Sequence, residues 1–103
     1  MGFIGEHLAV LPNSAYTWRL IPCRGGYAFR AVAREGNPGR AHLSINPDNG
    51  ATSLQGCDDW ETFFIENVNG GVALRHYWGG YLNLSGLLPS KSSERYVIKL
   101  QFA

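Results

Sequence analysis

Three histidines (His7, His42, His76), a run of acids (Asp58, Asp59, Glu61), two cysteines (Cys23, Cys57) and an aromatic pair (Tyr77, Trp78) are the residues of this chain that could do chemistry. Neighbours along a strand point to opposite faces, so Asp58 and Asp59 do not converge by themselves into an acid/base pair. The histidines stand far apart, and no Cys-x-x-Cys or His-x-x-x-His spacing gathers ligands for a metal. No Gly-x-Ser-x-Gly elbow occurs, and neither cysteine lies in a nucleophile motif. No catalytic residue, metal ligand or cofactor is therefore expected, and the chain is read as a binding protein rather than an enzyme. Two cysteines are too few for a disulfide framework. The chain also opens without a basic-then-apolar leader. Reduced thiols and a cytoplasmic location follow as expectations.

Whatever these side chains do, short strands must position them. The chain of 103 residues is long enough for one domain with one modest core. Hydrophobic residues make up 45% and charged residues 17%, a balance that favours folding over disorder. Thirteen glycines and five prolines, spread along the length, disfavour long helices and predict many strands joined by turns. No apolar run approaches the ~18 residues of a membrane span, and a formal net charge of +1 offers nucleic acid no global field. Neither membrane insertion nor a nucleic-acid partner is expected. Locally the charge is uneven: Arg19, Arg24, Arg30, Arg34 and Arg40 precede an acid-rich stretch holding Asp48, Asp58, Asp59, Glu61 and Glu66.

A repeat organises the strands. Aligning WRLIPCRGGYAFR (18–30) with FFIENVNGGVALR (63–75) sets Trp18 on Phe63, Leu20 on Ile65 and Gly25-Gly26 on Gly70-Gly71. Tyr27 then falls on Val72, Phe29 on Leu74 and Arg30 on Arg75. HLSI (42–45) follows the first copy, YLNL (81–84) the second, and HLAV (7–10) supplies a third version near the N-terminus. Each copy alternates apolar and polar residues with the period of a half-buried strand, and each Gly-Gly falls between two strands as turn chemistry. One such unit cannot bury its apolar face alone, whereas three around an axis can close a barrel. The expected fold is an all-β, single-domain β-trefoil over 1–103. Its pseudo-threefold repeats run approximately 1–17, 18–60 and 61–103, with a short N-terminal repeat. Trp18, Phe63 and either Ile98 or Tyr96 are expected to be equivalent core positions, as are Leu8, Leu43 and Leu82. AREGNPGRA (33–41) reads as a protruding loop.

The stretch FFIENVNGGVALRHYWGGYLNLSG also resembles the fascin and hisactophilin group of β-trefoils. That group repeats an aromatic-x-[VI]-E-N strand, a Gly-Gly, V-A-L-[KR], then G-x-Y-L. Phe63, Ile65, Glu66, Asn67, Gly70, Gly71, Val72, Ala73, Leu74, Arg75, Gly80, Tyr81 and Leu82 match it. The resemblance implies the trefoil fold and, as one function, actin binding through the arginine-rich 19–40 segment. Three histidines depart from the histidine-rich hisactophilin pattern, and fascins use several trefoils in tandem. Trefoils also include lectins and protease inhibitors, and 33–41 could serve as an inhibitory loop.

Carbohydrate binding is the leading expectation, with a glycan or glycoprotein as partner. Sugar sites place an exposed aromatic against the C–H face of a pyranose and short polar side chains against its hydroxyls. RHYWGG (75–80) offers Tyr77 and Trp78, NPDNG (46–50) offers Asp48 and Asn49, and Asn83 lies on the following strand. Alternation points His76 inward and Tyr77 outward, and the glycines then free Trp78. The competing reading makes Trp78 a plug at one end of the barrel and PDNG an ordinary turn.

Overall fold

The computed structural model describes residues 7–11, 16–84, 90–99 and 101–102, so residues 1–6 and 12–15 of the short first repeat lie outside the described residues. Among the described residues, ten strands form one antiparallel sheet. They are β1 (His7–Val10), β2 (Thr17–Cys23), β3 (Gly26–Ala31), β4 (His42–Ile45), β5 (Thr52–Gln55), β6 (Phe63–Val68), β7 (Gly71–His76), β8 (Tyr81–Asn83), β9 (Ser90–Ser92) and β10 (Gln101–Phe102). Helical structure among the described residues is confined to short 3-10 turns at Val32–Arg34, Pro38–Arg40 and Asp59–Glu61. No helix among them is long and apolar enough to cross a membrane.

The sheet nearly closes on itself. β1, β2, β3, β6 and β7 lie side by side, and Ile98 and β10 bridge the remaining gap. Ile98 exchanges two backbone hydrogen bonds with Val72 of β7, at 2.9 and 2.7 Å, while β10 pairs with β1. The hairpin β4–β5 hangs from β3 through Arg30 opposite His42, and β8–β9 hangs from β7 through Arg75 opposite Tyr81. The barrel-like ring leaves few open strand edges, which is how such small β proteins avoid edge pairing with other chains.

One register recurs around the ring. Ala9 faces Trp18, Tyr27 faces Phe63 and Val72 faces Ile98 across successive junctions. Within the strand pairs, Tyr27 faces Pro22, Val72 faces Asn67 and Ala9 faces Phe102. Trp18, Phe63 and Ile98 thus hold matched positions, and all three are buried. Of the two expected candidates for the last position, it is Ile98 that occupies it. Leu11, Phe29 and Leu74, each two residues beyond the facing residue, are buried as a second set. Edge-to-face contacts run through the core from Trp18 to Phe29, Phe63 and His76, with centroids 5.4–6.5 Å apart.

Two expectations need correction. HLAV, HLSI and YLNL share a spelling, yet β1 lies in the ring where β3 and β7 lie, while β4 and β8 belong to the hanging hairpins. Leu8 is accordingly half-buried opposite Arg19, unlike the buried Leu43 and Leu82. The second correction concerns the cysteines. Cys23, at the end of β2, is bonded to Cys57 in a disulfide, so the thiols are not reduced. The 33–41 loop is largely exposed, and at its base Ala31 N–H donates to the Ala41 carbonyl at 2.7 Å.

Candidate functional site

Two turns and one strand meet at the same edge of the molecule. The turn between β4 and β5, the turn between β7 and β8, and β9 with Ser93 enclose an open groove of about 530 Å³. Asp48, Asn49 and Gly50 form one wall, Trp78, Gly79 and Gly80 another, and Lys91 with Ser92 the third. The structure thus brings Trp78, Asp48 and Asn49 together, although thirty residues separate the two turns in sequence. Tyr77 and Asn83 do not line this groove.

Each wall has a local cause. Asn46 Oδ1 accepts the Asp48 N–H at 2.9 Å and its carbonyl accepts the Gly50 N–H at 2.8 Å, which folds the chain into a tight Asx turn. Asn49 Oδ1 accepts the Ala51 N–H at 2.8 Å, so its oxygen is engaged in the turn, whereas the Asp48 carboxylate is exposed. Across the groove, the β7–β8 turn is fastened from below by His76. This residue is fully buried; its backbone N–H donates to the Gly80 carbonyl at 2.9 Å and its carbonyl accepts the Gly79 N–H at 3.0 Å. Its ring faces the Trp60 carbonyl through Nε2 at 2.8 Å and the Trp78 N–H through Nδ1 at 3.4 Å. A carbonyl can only accept and an N–H can only donate, so the ring carries its proton on Nε2 and is neutral. Burial lowers its pKa and reinforces that state, with a smaller push from the Lys91 ammonium.

Above this anchor Trp78 is 55% exposed, which rules out the barrel plug. Tyr77 turns outward as the alternation predicts, but its ring is taken up by neighbours. It stacks on Phe64 at 6.1 Å and meets Trp78 edge-on at 5.8 Å, while the Arg75 guanidinium covers Phe64 at 4.6 Å. Tyr77 therefore backs Trp78 rather than facing the groove. Asn83 sits half-buried in the β8–β9 ladder opposite Ser90.

The remaining chemical residues serve the framework. Glu61 is buried, accepts Ser44 Oγ at 2.6 Å and the Asp58 N–H at 2.8 Å, and caps the 3-10 turn that carries Trp60. Burial pushes its pKa up. Arg24 bridges Asp58 and Asp59, the latter at 3.3 Å. His42 is buried, with Nδ1 facing the Gln55 carbonyl at 3.1 Å, and burial lowers its pKa. Among the described residues no group of three or more His, Cys, Asp or Glu side chains is arranged to hold a metal. The arginine-rich segment is also largely engaged internally. Arg19 and Arg30 both clamp Glu35, at 2.8 and 2.7 Å, and hold its carboxyl at about 2, chiefly through the Arg19 hydrogen bond.

Lys91, Ser92 and Ser93 are groove residues that sequence reasoning missed. SKSSER (90–95) reads as a solvated polar run, and only the pairing of β9 with β8 carries it to the groove. No family model matches this chain, and no curated protein matches it either.

Proposed function

We propose that this chain is a non-enzymatic, lectin-like carbohydrate-binding protein of β-trefoil architecture, with Trp78 as its stacking platform. The recurring register of the ring, with two equivalent hanging hairpins, supports the trefoil reading. The groove that joins Trp78 to the 47–50 turn is the observation that carries the sugar reading. An exposed indole over paired glycines offers a flat apolar face with bare backbone beside it. The Asp48 carboxylate and the Ser92 and Ser93 hydroxyls supply acceptors and donors of the length that sugar hydroxyls need. The disulfide further supports an oxidising compartment over the cytoplasm.

Actin binding has less support. That reading needs the 19–40 arginines to present free positive charge, and Arg19, Arg24 and Arg30 are each ion-paired within the molecule. The inhibitor reading has no supporting contact beyond the exposure of 33–41.

The test is a glycan array on the purified protein, repeated with Trp78→Ala. The variant is expected to lose glycan binding while its unfolding free energy changes by less than about 1 kcal/mol, as at other exposed positions. A folded Trp78→Ala protein that still binds its glycan would remove Trp78 from the site. Absence of any glycan signal, with salt-sensitive co-sedimentation on actin filaments, would instead favour the cytoskeletal reading.

A further inference from the structure

Lys91 lines the groove beside the two turns that form it. Its aliphatic stem lies across Gly80, where a Cβ would sit 2.6 Å from Lys91 Cε and 3.1 Å from Cγ. On the other side, a Cβ on Gly50 would touch Lys91 Cβ at 3.7 Å. The absence of a side chain at Gly80 is therefore what allows the lysine to run along the groove instead of away from it. Lys91 is half-buried and forms no ion pair with any described residue, Asp48 included. The groove thus holds one carboxylate and one ammonium on different walls, neither neutralised by the other.

We propose that the groove selects acidic sugars, specifically a pyranose bearing a carboxylate, with Lys91 as the residue that recognises the acid. This rests on the carbohydrate reading above. A hexuronic or sialic acid keeps an apolar ring face for Trp78 and carries its charge at the ring edge. Stacked on the indole, such a ring can direct its carboxylate to Lys91 Nζ and its hydroxyls towards Asp48. The converse orientation would set the sugar carboxylate against Asp48, so the two charges of the groove also fix which way the ring lies. Lysine acts here as a compact point charge on a flexible stem, for which the glycines leave room.

The experiment compares carboxylated, sulfated and neutral glycans on one array, then titrates the strongest binder against wild type, Lys91→Gln and Lys91→Arg. Carboxylated glycans are expected to bind best. Lys91→Gln should weaken them about tenfold or more, as for loss of a hydrogen bond to a charged group, and Lys91→Arg should retain most of the binding. Unchanged thermal melts of both variants would show that the fold is intact. Neutral glycans that bind as well as acidic ones, lost with Trp78→Ala but untouched by Lys91→Gln, would overturn the acidic selectivity and leave the sugar site standing. A preference for sulfated over carboxylated glycans would overturn it likewise. No glycan binding at all would overturn both readings together.

Discussion

His76 joins two exposed tryptophans from inside the barrel, through the carbonyl of Trp60 and the N–H of Trp78. The bond from Trp78 requires an unprotonated Nδ1, and hence the neutral ring, so its protonation state bears on the groove as well as on the fold. Burial depresses its pKa below 6.5, and His42 is shifted in the same direction for the same reason. The unfolded chain then binds more protons than the folded one once the pH drops below 6.5. The contribution of the neutral histidines is therefore complete above pH 6.5 and declines on acidification towards their depressed folded values. Glu61, raised above 4.5 by burial, changes in the opposite sense, gaining as the pH falls through its folded value. Proton NMR titration of the imidazole C2–H signals should place the His76 and His42 inflections below 6.5, and a value at or above it for His76 would contradict the neutral anchor. At this scale the sequence was partly legible. His76 inward, Tyr77 outward and Trp78 released by its glycines all follow from strand alternation meeting a turn. The roles of Asp58 and Asp59 were not legible, because the Arg24 that neutralises them comes from a distant hairpin.

At the scale of elements, the Gly-Gly pairs do two jobs that one spelling conceals. Gly25 and Gly70 take positive φ in the turns, as the sequence suggests. Gly26 and Gly71 instead begin strands, at the points where the next strand of the ring crosses closest. A Cβ on Gly26 would run into the Phe63 carbonyl, and one on Gly71 into the carbonyl of Ile98, the residue matched to Phe63 by register. The second glycine of these two pairs is thus a spacer between ring strands, which no local pattern announces. Gly71→Ala should cost about 1–3 kcal/mol by overpacking that junction, measured by urea denaturation. Gly36→Ala, whose Cβ meets nothing within 4 Å, should stay within about 0.5 kcal/mol. Equal stability of the two variants would mean that the junction is looser than described. The misplacement of HLAV has a related origin. Period-two alternation gives every half-buried strand the same spelling, and only its cross-strand partners say which strand of the ring it is.

For the molecule as a whole, closure joins the two ends of the described chain, since β10 pairs with β1 and Ile98 with Val72. A covalent tie elsewhere in the chain limits how far such a ring can open. The Cys23–Cys57 bond is such a tie. It spans a sequence separation of 34 and encloses β3, the 33–41 loop and the whole β4–β5 hairpin, including the Asp48 turn of the groove. Sequence alone pointed to reduced thiols, because two cysteines so far apart make no disulfide framework, and only the approach of the β2–β3 turn to the 56–58 stretch brings them together. In the chain-entropy picture, closing a loop of this length in the unfolded state contributes about 3–4 kcal/mol. A Cys23→Ser/Cys57→Ser double variant should lose about that much stability, and dithiothreitol should lower the melting temperature of wild type but not of the variant. The barrel core, centred on Trp18, Phe29 and Phe63, does not depend on the bond, so the variant is expected to remain folded. Its glycan affinity should fall only in proportion to the loosened Asp48 turn, because Trp78 is anchored separately through His76. Denatured, non-reduced protein should yield no titratable thiol; two free thiols per chain, together with melts insensitive to reductant, would remove both the bond and the oxidising location it supports.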